Sequence, residues 1–499
     1  MREDPAHELA LPDDLLAWAA ELAGGEVTGG ARLPGGGRKE AWTLDFAGAD
    51  GTPQRLFLRY DRSDPARTAD PWTLHREASV FLALQDTDVI VPKVLGVHPE
   101  HQAMLTELVP GDAWFSRIAD PDEAERTARH FMEQLAALHR LDPKALDLPH
   151  FPAPTTIPEM VAWELDEWDR IIEARGGDPD PLLAFALGWL RRNVPDVEGP
   201  VVLVQGDTGP GNFIYGGGRV RAVVDWELAH LGDPMDDIAW LTLRCTQTPF
   251  PDLPARLREY EERVGWAVDD TRVRYYQVLA ETKLLVMRHR PAGGGRAGDG
   301  ADGGDGGVGG VAGSGGGGGG QAGGDAGAGG GSDVGNGLIY SMLHRRLWFE
   351  AIASFLGLEL DDPPPPPPAE PGDHAWLYDT VLGQLRDVIV PRLADPLGRS
   401  RAKSVARIVK YLREIDRHGA AVSAAELDDI AAVLGTPADA LAPDGSLAPA
   451  RAALADAVRS GAIDERDYLR TLWRRTAREN ELLRPASGAL ADRHWPPLR

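Results

Sequence analysis

Three oxygen-bearing side chains follow short apolar runs near the middle of the 499-residue chain. Asp207 and Asn212 lie in LVQGDTGPGNFIY, residues 203–215, which leaves a buried-strand pattern for a segment of Gly, Asp, Pro and Asn. Asp225 ends the apolar run that begins at Val220. A turn accounts for this composition, but strand ends that converge would bring the three side chains to one cleft. Mg²⁺ prefers such hard oxygen ligands, together with phosphates and water.

The three side chains divide into two chemical roles. Asn212 and Asp225 are candidate ligands for Mg²⁺, which commonly takes one or two ligands from the protein. Asp207 is then available to orient a substrate hydroxyl and to accept its proton during phosphoryl transfer. The alternative, an unrelated fold in which this loop is a simple turn, stays open on these residues alone.

Three segments resemble the aminoglycoside phosphotransferase family, small-molecule kinases that have the protein-kinase-like fold. The segments are QGDTGPGN (205–212), VVDWE (223–227) and GDPMDDIAW (232–240). The resemblance covers about residues 25–360, and the sequence of the last two segments is most similar to kinase-like domains fused to some acyl-CoA dehydrogenases. It implies an ATP- and Mg²⁺-dependent phosphotransferase in which Asp207 is the catalytic base and Asn212 and Asp225 bind magnesium.

The resemblance also implies a set of nucleotide-binding residues before the central loop. These residues are Gly35, Gly36, Gly37, Arg59, Glu77, Glu107 and Val109. The glycines match the loop that covers the nucleotide, although a glycine run alone favours a plain turn. The Arg–Glu pair matches the basic residue that holds the α and β phosphates and its acidic partner, although by spacing alone each is a surface charge. The last two residues fall at the hinge, where backbone groups would contact adenine.

Two positions depart from the family pattern. Gln205 stands where the family usually has His, two residues before the catalytic Asp. Gln can still donate a hydrogen bond, so we expect activity to survive this change. Arg59 replaces the usual Lys; it remains cationic and binds phosphate through its planar fork, with a different reach.

Elements flanking the central loop predict two lobes with a cleft between them. AWTLDF (41–46) and RLFLRY (55–60) alternate apolar and polar residues around an Asp50-Gly51 turn signal. A helix is predicted from about Pro71 to Gln85, and helical periodicity dominates from about Asp122. The expected fold class is α+β: a bilobal protein-kinase-like fold, with a β-rich N-lobe and a helical C-lobe, followed by a separate all-α C-terminal domain.

Composition divides the chain into five predicted parts. They are an N-terminal helical extension (1–24), a β-rich nucleotide-binding lobe (25–110), a helical lobe with the catalytic loop (111–360), a Pro-rich linker (361–371) and a helical domain of unknown function (372–499). Within the helical lobe, the Gly-rich segment 291–337 is predicted to be a disordered insertion, because it has too few side chains to form a core. In the last part, Val405, Ile408, Val409 and Leu412 predict one buried helix face.

Charge and composition exclude several classes of protein. The formal net charge of −25 disfavours a nucleic-acid partner, because phosphate backbones are bound by clustered Lys and Arg. No apolar run approaches the length of a membrane span, and the single cysteine suits a reducing cytoplasm. Motifs of serine hydrolases and zinc enzymes, such as GxSxG, HExxH and CxxC, are lacking.

The acceptor of the phosphoryl group is not specified by these motifs. We expect a small-molecule hydroxyl, and the acyl-CoA dehydrogenase-linked resemblance suggests a hydroxyacyl-type metabolite. It would lie against the helical lobe near Trp163, Trp168 and Trp240, for each of which core packing is the alternative role. A catalytically silent nucleotide-binding or regulatory module of the same fold is the alternative to an enzyme.

Overall fold

The computed structural model describes residues 9–33, 39–63, 71–174, 181–288 and 334–499. The N-lobe is an antiparallel five-stranded sheet with the order β1-β2-β3-β5-β4. Its strands are β1 (Gly25–Arg32), β2 (Lys39–Gly48), β3 (Pro53–Asp61), β4 (Val94–Val97) and β5 (Gln102–Glu107). Helix α1 (Asp13–Ala23) precedes the sheet, and α2 (Leu74–Leu84) lies between β3 and β4.

Strand β3 is buried on both faces, which determines where its side chains point. Leu58 and Tyr60 pack with Leu15 of α1 in a small core. Because successive side chains alternate across a strand, Arg59 points to the other face, toward α2 and the helical lobe. The strand's near-continuous apolar run therefore positions one cation between the lobes.

The C-lobe is helical, with two short antiparallel ladders at its centre. Its helices are α3 (Pro121–His139), α4 (Ile157–Ala174), α5 (Pro181–Arg192), α6 (Pro234–Gln247), α7 (Leu253–Val264), α8 (Asp270–Arg288) and α9 (Val334–Leu356). Strand β6 (Val202–Val204) pairs with β9 (His230–Gly232), and β7 (Phe213–Tyr215) pairs with β8 (Val220–Val223). This arrangement confirms the predicted bilobal α+β fold.

An all-α region follows the Pro-rich run. Its helices are α10 (Ala375–Gln384), α11 (Pro396–Leu434), α12 (Ala438–Leu441), α13 (Leu447–Arg459) and α14 (Glu465–Ser487). Ile430, Leu454 and Tyr468 form a small core of their own. Leu469 and Trp473 of α14 instead join the core of the helical lobe. In the parts of the chain that the structure describes, no helix combines the length and apolar character needed to cross a membrane.

The predicted Gly-rich insertion lies mostly outside the described residues, which resume with helix α9. Its last four predicted residues, 334–337, are helical, so the prediction of disorder is wrong there. The reason is close helix packing: a Cβ on Gly335 would lie 2.2 Å from the Ser404 carbonyl oxygen of α11. The Gly335 N–H donates to Ser404 Oγ at 3.0 Å.

The predicted buried face of α11 is also wrong. Val405 and Leu412 are 46% and 47% exposed, and Ile408 and Val409 are only half-buried. Helix α11 instead buries a mixture of small, polar and apolar side chains, namely Ala402, Ser404, Glu414, Glu426 and Ile430. Close approach to α9 favours small residues over a stripe of large apolar ones.

Candidate active site

The loop from Gln205 to Asn212 is held by one carboxylate at the start of α6. Asp237 accepts hydrogen bonds from the backbone N–H groups of Gln205 and Gly206, both at 2.9 Å, and from the Thr208 hydroxyl. Backbone geometry adds a second constraint, since Gly206 has φ +82° and a Cβ there would lie 2.4 Å from the Leu228 carbonyl oxygen. This position therefore requires glycine.

Asp207 is buried in this loop and is paired with a cation that the sequence analysis missed. Arg244 Nε donates to Asp207 Oδ1 at 2.8 Å, and its Nη2 donates to Oδ2. Burial raises the pKa of Asp207 despite the opposing effect of Arg244. Arg244 lies seven residues after Asp237 and thus on the same face of α6, a spacing that could have identified it.

Asn212 lies at the far end of the loop, beside Asp207. Its Nδ2 donates to the Asp207 carbonyl oxygen at 2.7 Å. The Asn212 carbonyl also accepts from the Val224 N–H at 3.0 Å. The loop is thus joined to the strand end that carries Asp225.

Asp225 differs from every other carboxylate in this region. Both of its side-chain oxygens are buried and have no hydrogen-bond partner among the described residues. Its backbone is in the left-handed region at φ +65°, which is uncommon for a residue with a side chain. Burial, followed by the charge of Glu227, raises the pKa of Asp225 well above its ordinary value.

The arrangement of oxygen atoms fits a divalent cation. A buried carboxylate without a partner is unfavourable unless a ligand satisfies it. Asp225 supplies two such oxygens, and the amide oxygen of Asn212, whose backbone is hydrogen-bonded to Val224, is a third candidate. Hard oxygen donors of this kind suit Mg²⁺.

Arg59 and Glu77 face the same cleft from the N-lobe. Arg59 Nη2 lies 3.8 Å from Glu77 Oε2, while Arg59 Nε and Glu77 Oε2 have no hydrogen-bond partner among the described residues. Burial favours a lower pKa for Arg59, but Glu77 and Asp225 reverse that effect and the net pKa is raised. Arg59 and Glu77 are therefore close enough to form an ion pair, but each keeps an atom without a hydrogen-bond partner among the described residues.

A pocket at the hinge contains several of the predicted binding residues. It is lined by Phe57, Arg59, Glu77, Phe81, Pro92, Met104, Thr106, Glu107, Leu108, Val109, Ile214, Val224 and Asp225. The Glu107 N–H donates to the Lys93 carbonyl oxygen at 2.9 Å, and the Glu107 carbonyl oxygen accepts from the Thr106 hydroxyl at 3.0 Å. Val109 packs with Ile214 and Val224. The pocket is apolar at the hinge and charged toward Asp225.

One predicted group is not placed. Gly35, Gly36 and Gly37 lie outside the described residues, so the predicted nucleotide-covering loop stays a prediction. Lys39, the first described residue after it, joins the N-lobe to the DWE segment through a 2.8 Å ion pair with Glu227. Arg76 of α2 donates to the Glu227 carbonyl at 3.1 Å, and burial lowers the pKa of Arg76 to about 10. Sequence motifs gave no signal for these contacts between lobes.

Two further side chains support the loop from behind. Gln205 Nε2 donates to the Val224 carbonyl at 2.7 Å, so the glutamine at this unusual position does form a hydrogen bond. His139 is buried between Tyr260, whose hydroxyl is 2.7 Å from Nδ1, and Asp237, whose Oδ2 is 3.0 Å from Nε2. Both residues position the loop through neighbouring groups.

A second set of titratable groups, here named the buried ion cluster, consists of Glu164, His230, Asp236 and Lys283. Its carboxylate and imidazole groups are close enough to hold a metal ion. Lys283 Nζ, however, lies 2.6 Å from Glu164 Oε1 and 3.0 Å from Asp236 Oδ2, and His230 Nε2 lies 3.0 Å from Asp236 Oδ2. An ammonium group already provides the positive charge, so we assign this cluster a structural role.

Comparison with known families supports the resemblance stated from the motifs. Residues 46–276 match the model of the phosphotransferase enzyme family, APH. Acyl-CoA dehydrogenase family member 11 of Rattus norvegicus is 34% identical over 124 residues, which are 24% of this chain and 16% of that protein. Family member 10 of Mus musculus is 26% identical over 253 residues, 47% of this chain and 22% of that protein. The alignments thus span less than a quarter of these relatives.

Solved phosphotransferase structures are also similar to this chain. The apoenzyme of macrolide 2'-phosphotransferase from Brachybacterium faecium has a TM-score of 0.39 and 20% identity, over 55% of this chain and 91% of that chain. A thermostable mutant of an aminoglycoside phosphotransferase, in ternary complex with ADP and hygromycin B, has a TM-score of 0.41 and 18% identity, over 55% of this chain and 90% of that chain.

Proposed function

We propose, from the family match of residues 46–276, that the chain is an ATP- and Mg²⁺-dependent phosphotransferase acting on a hydroxyl of a small molecule. The observation that carries the proposal is Asp225 at the charged end of the hinge pocket, whose two buried oxygens have no hydrogen-bond partner in the part of the chain that the structure describes. A protein that did not bind a cation there would leave this carboxylate unsatisfied.

In this proposal the cleft residues bind and orient the nucleotide. Asp225 and Asn212 would hold Mg²⁺, which would supply positive charge to neutralise the phosphoryl oxygens. Arg59 contacts the phosphates from the N-lobe and is held near them by Glu77. The apolar side chains of Val109, and of its neighbours in the pocket, pack against the adenine ring.

Asp207 acts on the acceptor hydroxyl. It accepts a hydrogen bond from that hydroxyl, which orients the oxygen toward the phosphate, and it takes the proton as the bond to phosphorus forms. Burial raises the pKa of Asp207, which makes the carboxylate a better base. Arg244 fixes the carboxylate plane through two hydrogen bonds and stabilises its charged form.

The proposed acceptor is a hydroxyacyl-type metabolite, because the matched relatives are named as acyl-CoA dehydrogenase family members. Trp168 and Trp240 are buried in the core and are not available to it. Trp163 is half-buried and lines a narrow cleft with Trp72 and Arg76, which is the better candidate for contact with an acceptor.

Nucleotide binding provides the first test. We expect Mg-ATP to raise the thermal unfolding temperature of the wild-type protein and to have no such effect on Asp225→Ala. Asp166→Ala, which removes an exposed carboxylate that does not line the hinge pocket, should respond as the wild type does. If no nucleotide binds the wild-type protein with Mg²⁺, the proposed function is wrong.

Turnover provides the second test. We expect phosphorylation of at least one compound in a panel of hydroxyacyl thioesters, sugars, amino alcohols and aminoglycosides, and its loss in Asp207→Ala. Binding of Mg-ATP without turnover across this panel would instead favour the silent nucleotide-binding module.

We also propose a cytoplasmic location and a functional division of the chain at the Pro-rich linker, residues 361–371. Fractionation of cells that express the protein would test the location. Activity of the full chain after a protease site is cut within this linker would test the division.

A further inference from the structure

A cavity of about 170 Å³ lies where the helical lobe meets the all-α region, away from the hinge pocket. It is lined by Leu182, Arg345, Phe349, Glu426, Ile430, Arg451, Leu454, Tyr468, Thr471, Leu472, Arg475 and Thr476. These residues come from α5, α9, α11, α13 and α14, so five helices from both parts of the chain enclose it. We name it the arginine cavity.

Positive charge exceeds negative charge around the arginine cavity. Arg451 is matched, since its Nε and Nη2 donate to the two carboxylate oxygens of Glu426 at 2.6 and 2.7 Å. Arg475 Nε is 3.5 Å from the same carboxylate, which is already engaged. Arg345 Nη1 is 3.8 Å from Glu479. Among the contacts of the described residues, these three guanidinium groups thus pair with two carboxylates, in a chain whose overall charge is −25.

Two of these guanidinium groups keep unused hydrogen-bond donors. Among the described residues, Arg345 and Arg475 meet their carboxylates only at ion-pair distance and donate no hydrogen bond. A guanidinium has five N–H donors in a planar fork that matches carboxylate and phosphate oxygens. Burial lowers the pKa of Arg475, and the nearby charge of Arg451 and Arg345 adds to that effect. An anion between the arginines would relieve the repulsion and could accept hydrogen bonds from both guanidinium groups.

The other wall of the cavity is apolar. Phe349 of α9, Ile430 of α11 and Leu472 of α14 line it together with Leu182 and Leu454. A bare inorganic ion would use the arginines but leave this wall in contact with water. Burial of a short hydrocarbon group there is favourable at about 25 cal/mol per Å² of apolar surface.

We propose that the arginine cavity binds a small organic anion, a carboxylate or phosphate that carries a short apolar group. Arg345 and Arg475 bind the anionic head, and the Phe349 and Leu472 side takes the apolar group. Since the cavity walls come from both the helical lobe and the all-α region, the bound anion stabilises their contact.

Binding of four six-carbon probes tests the proposal by calorimetric titration and thermal unfolding. The probes are hexanoate, hexyl phosphate, 1-hexanol and hexylamine. We expect at least one of the two anions to bind and to raise the unfolding temperature, with an affinity about tenfold or more above those of the alcohol and the amine. Comparison of hexanoate with hexyl phosphate identifies which anionic head is preferred.

Variants at the arginines locate the binding. We expect Arg475→Met and Arg345→Met each to weaken anion binding by about tenfold or more. Arg470→Met, on the same helix but exposed and paired with Asp467, should bind as the wild type does. Neither cavity variant should unfold, because Glu426 keeps Arg451 as its partner and Glu479 is partly exposed.

Three outcomes would overturn the proposal. The first is that neither anion binds the wild-type protein at millimolar concentration. The second is that the alcohol binds as tightly as the anions, which would make the cavity merely apolar. The third is that both arginine variants bind the anions unchanged, which would place the binding elsewhere.

Discussion

The helical lobe contains two buried sets of carboxylates that are satisfied in different ways. In the buried ion cluster, Glu164 and Asp236 have Lys283 at 2.6 and 3.0 Å. In the cleft, Asp225 has no hydrogen bond among the described residues, and Arg59, whose charge acts on it, lies 3.8 Å from Glu77. A buried carboxylate that has a protein partner depends on that partner, whose removal leaves an uncompensated buried charge, whereas a buried carboxylate without a partner indicates a ligand.

The largest expected effect concerns chemistry in the cleft. Asp207→Asn keeps the shape of the side chain but removes the proposed base, so we expect turnover to fall by about 10²- to 10⁴-fold. Mg-ATP binding should persist, because Asn212 and Asp225 are unchanged. Initial rates with the acceptor identified from the panel, together with ATP titration, measure the two quantities.

The matched control lies in the buried ion cluster. Asp236→Asn should reduce stability while the folded fraction retains turnover near that of the wild type. Equal losses of turnover in Asp207→Asn and Asp236→Asn would mean that the two carboxylate sets do not differ in role.

Removal of the ammonium should break the buried ion cluster. Lys283→Met leaves Glu164 and Asp236 buried and close together without their shared cation. We expect the free energy of unfolding to fall by about 3–5 kcal/mol. Urea denaturation followed by circular dichroism measures the change. A loss below about 1 kcal/mol would show that the cluster contributes like an exposed ion pair.

The same Asp-to-Asn substitution should change the free energy of unfolding in opposite directions in the two sets. Asp225→Asn removes a buried charge that lacks a partner, so we expect it to stabilise the ligand-free protein by about 1–3 kcal/mol. Asparagine also tolerates the left-handed backbone at this position. Asp236→Asn should be destabilising, because it weakens a bond to Lys283. Urea denaturation of the two variants without nucleotide measures both changes. The comparison is contradicted if both variants, or neither, are more stable than the wild type.

The smallest effect is a pH dependence in the buried ion cluster. Burial favours a lower pKa for His230, but Glu164 and Asp236 reverse this, and the net pKa is raised. Protonated His230 therefore stabilises the fold fully below its unfolded pKa of about 6.5, and this contribution is lost as pH rises through the folded value. Each unit by which the pKa is raised contributes about 1.4 kcal/mol.

Denaturation at a series of pH values from about 6 upward tests this sign. We expect wild-type stability to fall more steeply with rising pH than that of His230→Gln, which cannot be protonated. Parallel curves for the two proteins would contradict a stabilising charge on His230.

Local patterns in the sequence predicted much of the fold and of the cleft. The alternating residues of β2 and β3, with an Asp-Gly signal between them, form the expected hairpin. Asp207 follows β6 and Asp225 follows β8, whereas Asn212 immediately precedes β7. The pairing of β7 with β8 brings Asn212 to the strand end that carries Asp225. Arg59 and Glu77 also meet, because strand alternation and the helix position determine which way each points.

Contacts between distant segments could not be predicted in this way. Arg244 is 37 residues from Asp207, and Lys39 is 188 residues from Glu227, so their pairing depends on how the elements pack. Helical spacing on α6 offered a partial signal for Arg244 alone. The face of α11 was mispredicted for a related reason: an apolar stripe identifies a helix that can be buried, but neighbours decide which side is covered.

Helix α9 has a consequence for producing the N-lobe and the helical lobe without the all-α region. Trp348 of α9 donates to Thr282 of α8 at 3.0 Å, while the adjacent Phe349 packs against Trp473 of α14 with ring centroids 6.2 Å apart. A recombinant fragment cut at the Pro-rich run would carry α9 with one side bare. Such a fragment would be prone to aggregate, so an expression plasmid for the lobe should retain α14.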